Sequence, residues 1–151
     1  MVTDKFATQV TVLCAFLLYF KIFFVNMGIG NFRNKTGTRA PEDTYQGDPK
    51  VIGAQELEEL NAQKERFERM RANDLENIPY TMILALLSLM CVSGSTTAAT
   101  AHVALMIAFT VFRFSHTFFY YKGVSVARSI SWLFGTFCSI GFGVNGLTAV
   151  F

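Results

Sequence analysis

The sequence predicts an all-α integral membrane protein, a four-helix bundle whose helices alternate in direction. The first reason is composition: 52% of the 151 residues are hydrophobic, 16 are phenylalanine, and only 16% are charged, a small charged fraction for a soluble domain. The second reason is four apolar stretches, at about 7–29, 78–92, 96–121 and 124–151, each near the ~20 residues that a membrane-spanning helix needs. The chain length predicts one domain, residues 1–151.

The first helix is expected over residues 6–28, because Gly28 and Gly30 stand where the apolar run ends. The run is too long for a signal peptide, contains Lys21, and is not followed by an evident small-residue cleavage site. We expect Lys21 to be structural or interfacial. Residues 30–55 are rich in Gly, Pro, Asn and Asp, which predicts a loop between the first two helices.

The second helix is expected over residues 56–92 and begins in charged sequence. Pro79 lies inside this helix and should kink it, because it frees the carbonyl of Leu75. Five polar residues recur at alternating spacings of three and four, so they share one helical face. A polar row at the rim of a bilayer is costly unless something uses it, which makes this face a functional candidate. Its residues are Arg66, Arg69, Asn73, Glu76 and Tyr80.

The third helix is expected over residues 96–121. Arg113, His116 and Tyr120 stand at positions i, i+3 and i+7 and therefore share one face. Ionisable residues inside an apolar span are functional candidates by default, and they should face the interior of the bundle.

The fourth helix is expected over residues 125–150, with Arg128 and Ser129 one turn inside its start and Trp132 one further turn along. Arg128 combines a fixed cation with the positive end of the helix dipole, and this pairing stabilises an anion. A thiol bound there would have its pKa lowered and would become a thiolate. Ser129 and Tyr120 are able to donate hydrogen bonds to the same atom.

Basic residues gather on one side of the predicted membrane. The connection between the third and fourth helices adds two of them, Lys122 and Arg128, whereas the other side offers only Lys5. The positive-inside bias therefore places the loops and the site in the cytosol, and both termini in the lumen or exterior. The rest lie in residues 30–72, which cover the first connection and the charged start of the second helix, and are Arg33, Lys35, Arg39, Lys50, Lys64, Arg66, Arg69 and Arg71.

The alternating topology brings polar residues of three helices into one layer at the cytosolic end. Taken alone, Tyr120 is best interpreted as a membrane anchor and Arg128 as a snorkelling cation. Taken together, the six polar residues of this layer favour a binding site. Arg113 lies deeper, about 10 Å below Tyr120 by helical rise. We expect Glu76 to be its structural partner, because an unpaired guanidinium at that depth would be costly. The layer consists of Asn73, Glu76, His116, Tyr120, Arg128 and Ser129.

Two site classes find no support in the sequence. His102 and His116 have no partners at metal-ligand spacing, and the three cysteines lie in three different apolar stretches, so we expect no metal. Basic residues between Lys50 and Arg71 alternate with acidic ones, which is typical of a solvated helix. We therefore expect no nucleic-acid partner.

These motifs resemble those of the family of membrane-associated proteins in eicosanoid and glutathione metabolism (MAPEG), and the resemblance covers nearly the whole chain in the right order. It looks closest to the branch of microsomal glutathione transferase and microsomal prostaglandin E synthase. The matching motifs are Glu65-Arg66, Arg69, Asn73-Asp74-Leu75-Glu76-Asn77-Ile78 with Pro79, Pro41-Glu42-Asp43 in the first loop, Arg113 with His116 and Tyr120, and Arg128-Ser129.

The resemblance implies a homotrimer in the endoplasmic reticulum, with glutathione bound between neighbouring subunits and its thiolate stabilised by Arg128. It also implies a catalytic group of Asp43, Arg128 and Ser129. Ala72 stands where the synthase has a further glutathione-contacting arginine, and Arg69 or Arg71 could substitute for it. Arg71 and Trp132 also depart from the synthase pattern, which has histidine and tyrosine there. The implied glutathione contacts are Arg69, Asn73, Glu76, His116, Tyr120, Arg128 and Ser129, with Arg33 donated by the adjacent subunit.

Three functions are compatible with this resemblance. The first is a glutathione transferase, with or without glutathione-dependent peroxidase activity, acting on hydrophobic electrophiles that partition from lipid. The second is glutathione-dependent prostaglandin E synthase, an endoperoxide isomerase, which the group of Asp43, Arg128 and Ser129 matches. The third is a non-enzymatic lipid-binding adaptor. A pore is weaker still, because nothing polar continues through residues 84–92.

Overall fold

A computed structural model describes residues 3–43, 53–92 and 94–151. Four long helices follow one another in this part of the chain, α1 (Asp4–Lys35), α2 (Ala54–Cys91), α3 (Thr96–Lys122) and α4 (Ser125–Val150), and a 3-10 turn covers Pro41–Asp43. The residues described contain no strand. The prediction of an all-α four-helix bundle is therefore confirmed.

The first helix is longer than predicted. It continues beyond Gly28 and Gly30 to Lys35, so the predicted end at residue 28 is wrong and the connection to α2 starts later than expected. The physical reason is packing: a Cβ atom on Gly28 would lie 2.7 Å from the ring of Phe67 in α2. Gly28 thus permits the close approach of two helices and does not end one. Residues 44–52 of this connection, which include Lys50, lie outside the described residues.

The second helix packs against all three other helices. It begins at Ala54, close to the predicted start, and Pro79 lies inside it as expected. One face of α2 is buried, with positions that recur every three or four residues, as for a helix with one side in a core. The buried residues of this face are Met70, Asp74, Ile78, Thr81, Ala85 and Ser88.

Three helices, α1, α3 and α4, are each long and apolar enough to cross a membrane. Their outer surfaces expose large apolar side chains such as Phe24, Val111 and Phe137, a surface that suits lipid and not water. The chain is therefore an integral membrane protein. In α2 the apolar part begins only at Ile78, and a fourth crossing by α2 stays a prediction.

The two ends of the bundle differ in character. The end that carries the α3–α4 turn, the last turn of α1 and the first half of α2 is rich in arginine and lysine, and we call it the basic end. At the opposite end the amide of Gly94 donates to Asp4 Oδ2 at 3.3 Å, which joins the start of α1 to the α2–α3 turn. The predicted turn at that end falls partly on Ser93, outside the described residues.

A polar network crosses the bundle in the half away from the basic end, with one residue from each helix. His102 Nε2 lies 2.8 Å from Thr11 Oγ1, and Nδ1 lies 3.3 Å from Ser88 Oγ. Thr11 already donates its hydroxyl proton to the Ala7 carbonyl, so His102 Nε2 is the donor to Thr11. Asn145 Nδ2 donates to Ser88 Oγ at 3.1 Å. These buried groups satisfy one another, which is the condition for a stable polar network inside a bundle.

Candidate functional site

A buried ion cluster lies between α1, α2 and α3. Asp74 Oδ1 accepts a hydrogen bond from Arg113 Nη2, and Asp74 Oδ2 accepts one from Lys21 Nζ. The exposed fractions of Asp74 and Arg113 are 0% and 1%. One carboxylate therefore joins three helices, and the cluster holds two cations for one anion.

The predicted pair of Arg113 with Glu76 is wrong, because Asp74 takes that place. Asp74 lies on the buried face of α2 together with Met70 and Ile78. Glu76 is two residues further on, more than half a turn around the helix, and its side chain is exposed. Glu76 is thus not part of the buried cluster, and its role as a ligand contact stays a prediction.

Arg113 also holds Asn73. Its Nη2 donates to Asn73 Oδ1 at 2.9 Å, while the backbone carbonyl of Asn73 accepts from Asn77 Nδ2 at 2.7 Å. Asn73 is half-buried and follows Arg69 by one helical turn on α2. The ion cluster is therefore connected, through Asn73, to the polar face that the sequence identified.

An open cleft of about 200 Å³ lies at the basic end, between α2 and the start of α4. The guanidinium carbon of Arg128 lies 4.6 Å from the centre of the Tyr120 ring, a cation–π contact that fixes the cation over the cleft. Arg69 pairs with Glu65. The lining holds three guanidinium groups and one carboxylate, so the cleft is cationic. Its lining residues are Ala62, Glu65, Arg66, Arg69, Tyr120 and Arg128.

Arg66 braces the turn between α3 and α4. Its Nη1 donates to the carbonyl of Tyr121 at 3.4 Å. The turn itself uses Gly123 at a φ of 74°, a left-handed conformation that ends α3 at little cost only in glycine. A Cβ on Gly123 would lie 3.5 Å from Arg66 Nη1. Arg66 thereby links α2 to the turn that precedes Arg128.

His116 continues the stack of side chains into the bundle. Its ring centre lies 5.4 Å from that of Tyr120, so His116, Tyr120 and Arg128 form a column from the interior to the cleft. His116 is buried. Its Nδ1 and the Nε of Arg113 have no hydrogen-bond partner among the described residues.

The structure brings together only some of the predicted site residues. Arg69, Tyr120 and Arg128 line the cleft, and His116 and Asn73 connect to it from below. Ser129 is exposed, and its hydroxyl donates to the Ser125 carbonyl at 3.1 Å, so within one chain it does not contact the cleft.

Two further predicted residues lie away from the cleft. Arg33 at the end of α1 donates to Glu68 at 3.1 Å, and Asp43 is exposed in the Pro41–Asp43 turn. Trp132 is also exposed, by 40%. Within the described residues of one chain, Arg33 and Asp43 are not lining residues of the cleft, and their roles stay predictions.

Three lining residues of the cleft, Ala62, Glu65 and Arg66, were not predicted from the sequence. Arg66 had been placed on the polar face of α2 but not in the site, and Glu65 had been noted only in the resemblance. The signal for Glu65 and Arg66 was their position one turn before Arg69 and two turns before Asn73, which places them at the mouth of any pocket on that face. Among the described residues, no group of three or more His, Cys, Asp or Glu side chains is placed to hold a metal ion.

One comparison with known proteins gives a match. A model of the MAPEG family matches residues 11–148, a range that includes the ion cluster and every lining residue of the cleft. Neither the curated proteins nor the solved structures give a match. The family model covers nearly the whole chain and all four helices, and the protein therefore belongs to the MAPEG family.

Proposed function

We propose that this protein is a membrane-bound glutathione transferase, which joins the sulfur of glutathione to hydrophobic electrophiles that arrive from the lipid. The single observation that carries the proposal is the cleft at the basic end, where Arg66, Arg69 and Arg128 converge with one carboxylate, Glu65. Membership of the MAPEG family supports a membrane glutathione-related transferase, isomerase or synthase in general. The cleft favours glutathione chemistry in particular.

The residues present fit glutathione. The tripeptide carries two carboxylates and a thiol, and three guanidinium groups with a phenol provide donors for such groups. Glutathione supplies the nucleophilic sulfur when bound. Arg128 at the start of α4 stabilises a negative charge with both its guanidinium and the helix dipole, and the Tyr120 ring holds that guanidinium in place.

The second substrate is expected to arrive through the membrane. The surface of α4 beside Arg128 exposes Val126 and Ile130, and α3 exposes Phe118. A hydrophobic electrophile dissolved in lipid would thus meet the cleft at the membrane boundary, and holding both reactants there would raise their effective concentration. Reduction of lipid hydroperoxides by the same thiolate is an additional expected activity.

Localisation and assembly are part of the proposal. We propose that the basic end faces the cytosol, in agreement with the positive-inside bias, with both termini on the luminal side of the endoplasmic reticulum. We also propose a homotrimer in which Arg33 of a neighbouring subunit approaches glutathione and Glu76, Ser129 and Asp43 complete the site at the subunit interface. Exposure of these three residues in a single chain is compatible with that arrangement.

Turnover in reconstituted liposomes tests the proposal. The purified protein should conjugate glutathione to a chlorinated aromatic electrophile, and Arg128→Ala should lose at least tenfold in rate. Lys122→Ala is the matched control, since Lys122 is a cation at the same turn that contacts the rings of Phe118 and Tyr121. Turnover of a prostaglandin endoperoxide without conjugation would favour the isomerase instead. Lipid binding without any turnover would favour the adaptor.

A further inference from the structure

The orientation of the Asn73 side chain is fixed by its partner. Arg113 Nη2 donates to Asn73 Oδ1 at 2.9 Å, and a guanidinium group has donors but no acceptor. The amide oxygen of Asn73 is therefore the atom that faces Arg113, and the two N–H groups of Nδ2 point away from it. Nδ2 makes no hydrogen bond with the described residues and is not among the buried unpartnered atoms, so this nitrogen is not fully buried.

Arg113 is held in place from three sides. Its Nη2 also donates to Asp74 Oδ1, and Asp74 Oδ2 accepts from Lys21 of α1. On the α4 side, the aliphatic part of Arg113 packs beside Gly135, where a Cβ would lie in ordinary contact at 3.8 Å from Arg113 Cδ. The guanidinium group of Arg113 therefore has little freedom to move, and through its hydrogen bond it fixes the orientation of the Asn73 side chain.

Asn73 is not itself a lining residue of the cleft, but it lies one helical turn beyond a residue that is. Arg69, which lines the cleft, precedes Asn73 by one turn on the same face of α2. The half-buried amide is therefore the next polar group inward from the arginines. It offers two donors there and no acceptor.

We propose that Arg113 is a positioning residue for ligand binding, which acts by turning Asn73 so that only its N–H groups face the ligand. The proposal rests on the proposed function and names what the glutathione site selects. Asn73 Nδ2 donates to a carboxylate or peptide carbonyl oxygen of the ligand and disfavours an ammonium group at the same place. Asp74 and Lys21 support this selection through the bonds that hold Arg113 in place.

A double-mutant cycle on glutathione affinity tests the proposal. The variants are Asn73→Ala, Arg113→Lys and the double variant, each measured by equilibrium dialysis in detergent micelles. Lysine keeps a cation beside Asp74, but its compact ammonium cannot reproduce the two directed bonds of the guanidinium. Each single variant should raise the Kd for glutathione about tenfold. The Kd of the double variant should be at most about twice the higher of the two single-variant values. If the rise of Kd in the double variant equals the product of the rises in the two single variants, the proposal is overturned.

A second variant protects the test against misfolding. Asn73→Asp keeps an acceptor for Arg113 and removes both donors, and it adds an anion to a cluster with an excess cation. Its thermal unfolding midpoint should therefore remain at the wild-type value, while its Kd for glutathione rises at least tenfold. Wild-type affinity in Asn73→Asp would overturn the proposal.

A ligand-free measurement separates this inference from the proposed function. If the wild-type protein does not bind glutathione, the proposed function fails. The effect of Arg113 on Asn73 can still be measured without ligand, from the ¹⁵N signal of the Asn73 side-chain amide. That signal is identified by its loss in Asn73→Ala. That signal should shift and broaden in Arg113→Lys, because the amide is released. An unchanged signal would overturn the positioning role.

Discussion

Asp74 and Arg113 form an ion pair in the interior of the bundle, where α2 meets α3. Both residues are shielded from the surroundings, with exposed fractions of 0% and 1%. Lys21 occupies the second oxygen of the same carboxylate, so the pair is the centre of a three-helix contact. The pair also connects to the candidate site, because Arg113 holds Asn73.

Loss of the Asp74 carboxylate should destabilise the fold strongly. Asp74→Ala leaves Lys21 and Arg113 buried without an anion, and we expect a loss of about 3–5 kcal/mol in the free energy of unfolding. The measurement is unfolding in mixed detergent micelles. Glu58→Ala is the matched control, since Glu58 is an exposed carboxylate on the same helix, and it should change stability by no more than about 0.5 kcal/mol. Equal effects of the two changes would contradict the assignment of Asp74.

Removing Lys21 should be tolerated better than removing Asp74. Lys21→Met leaves one cation and one anion in the cluster, Arg113 and Asp74, so the charges balance. The remaining cost is one carboxylate oxygen without a donor, about 1–3 kcal/mol. The same unfolding assay ranks the two variants. A greater loss for Lys21→Met than for Asp74→Ala would show that the excess cation stabilises the fold.

Close packing at Gly28 gives a steric prediction. Gly28→Ala places a methyl group 2.7 Å from the Phe67 ring, and we expect a loss of about 1–3 kcal/mol from overpacking. Gly30→Ala is the control, because nothing lies within 4 Å of a Cβ at Gly30. It should stabilise the helix by up to about 1 kcal/mol. Adding Phe67→Leu to Gly28→Ala should restore part of the lost stability; no restoration would contradict the packing argument.

Arg66 should contribute to glutathione affinity although the sequence did not place it in the site. It lines the cleft and braces the α3–α4 turn, so Arg66→Ala should weaken binding about tenfold, or ~1.4 kcal/mol. Lys64→Ala is the control, because Lys64 donates to Thr38 at 3.1 Å and is not a lining residue. The dialysis assay at two salt concentrations distinguishes the variants, since a lost cation also reduces the salt dependence of binding.

The helices were predictable because their signals are local. Span length, hydropathy and the periodic polar face located all four helices, and the resemblance of the motifs was confirmed by the family match over residues 11–148. The end of α1 was not predictable from Gly28, since the same residue that ends helices also permits close packing, and only the position of Phe67 decides between the two.

The partner of Arg113 depended on the rotation of α2, which spacing alone does not give. Asp74 and Glu76 are both acidic, and the polar face suggested Glu76. Apolar neighbours one turn on either side of Asp74, Met70 and Ile78, were the available signal that Asp74 faces the core. The bond from Arg66 to the Tyr121 carbonyl had no such signal, because it depends on how the α3–α4 turn meets α2.

We propose that Arg128 converts the thiol of bound glutathione into a thiolate. The most direct test is the ultraviolet difference absorbance of the thiolate when glutathione is added to the purified protein at neutral pH. The wild-type protein and Lys122→Ala should both show the thiolate signal, and Arg128→Ala should lose it while it still binds glutathione by dialysis. A full thiolate signal in Arg128→Ala, or none in a wild-type protein that binds glutathione, would contradict the claim.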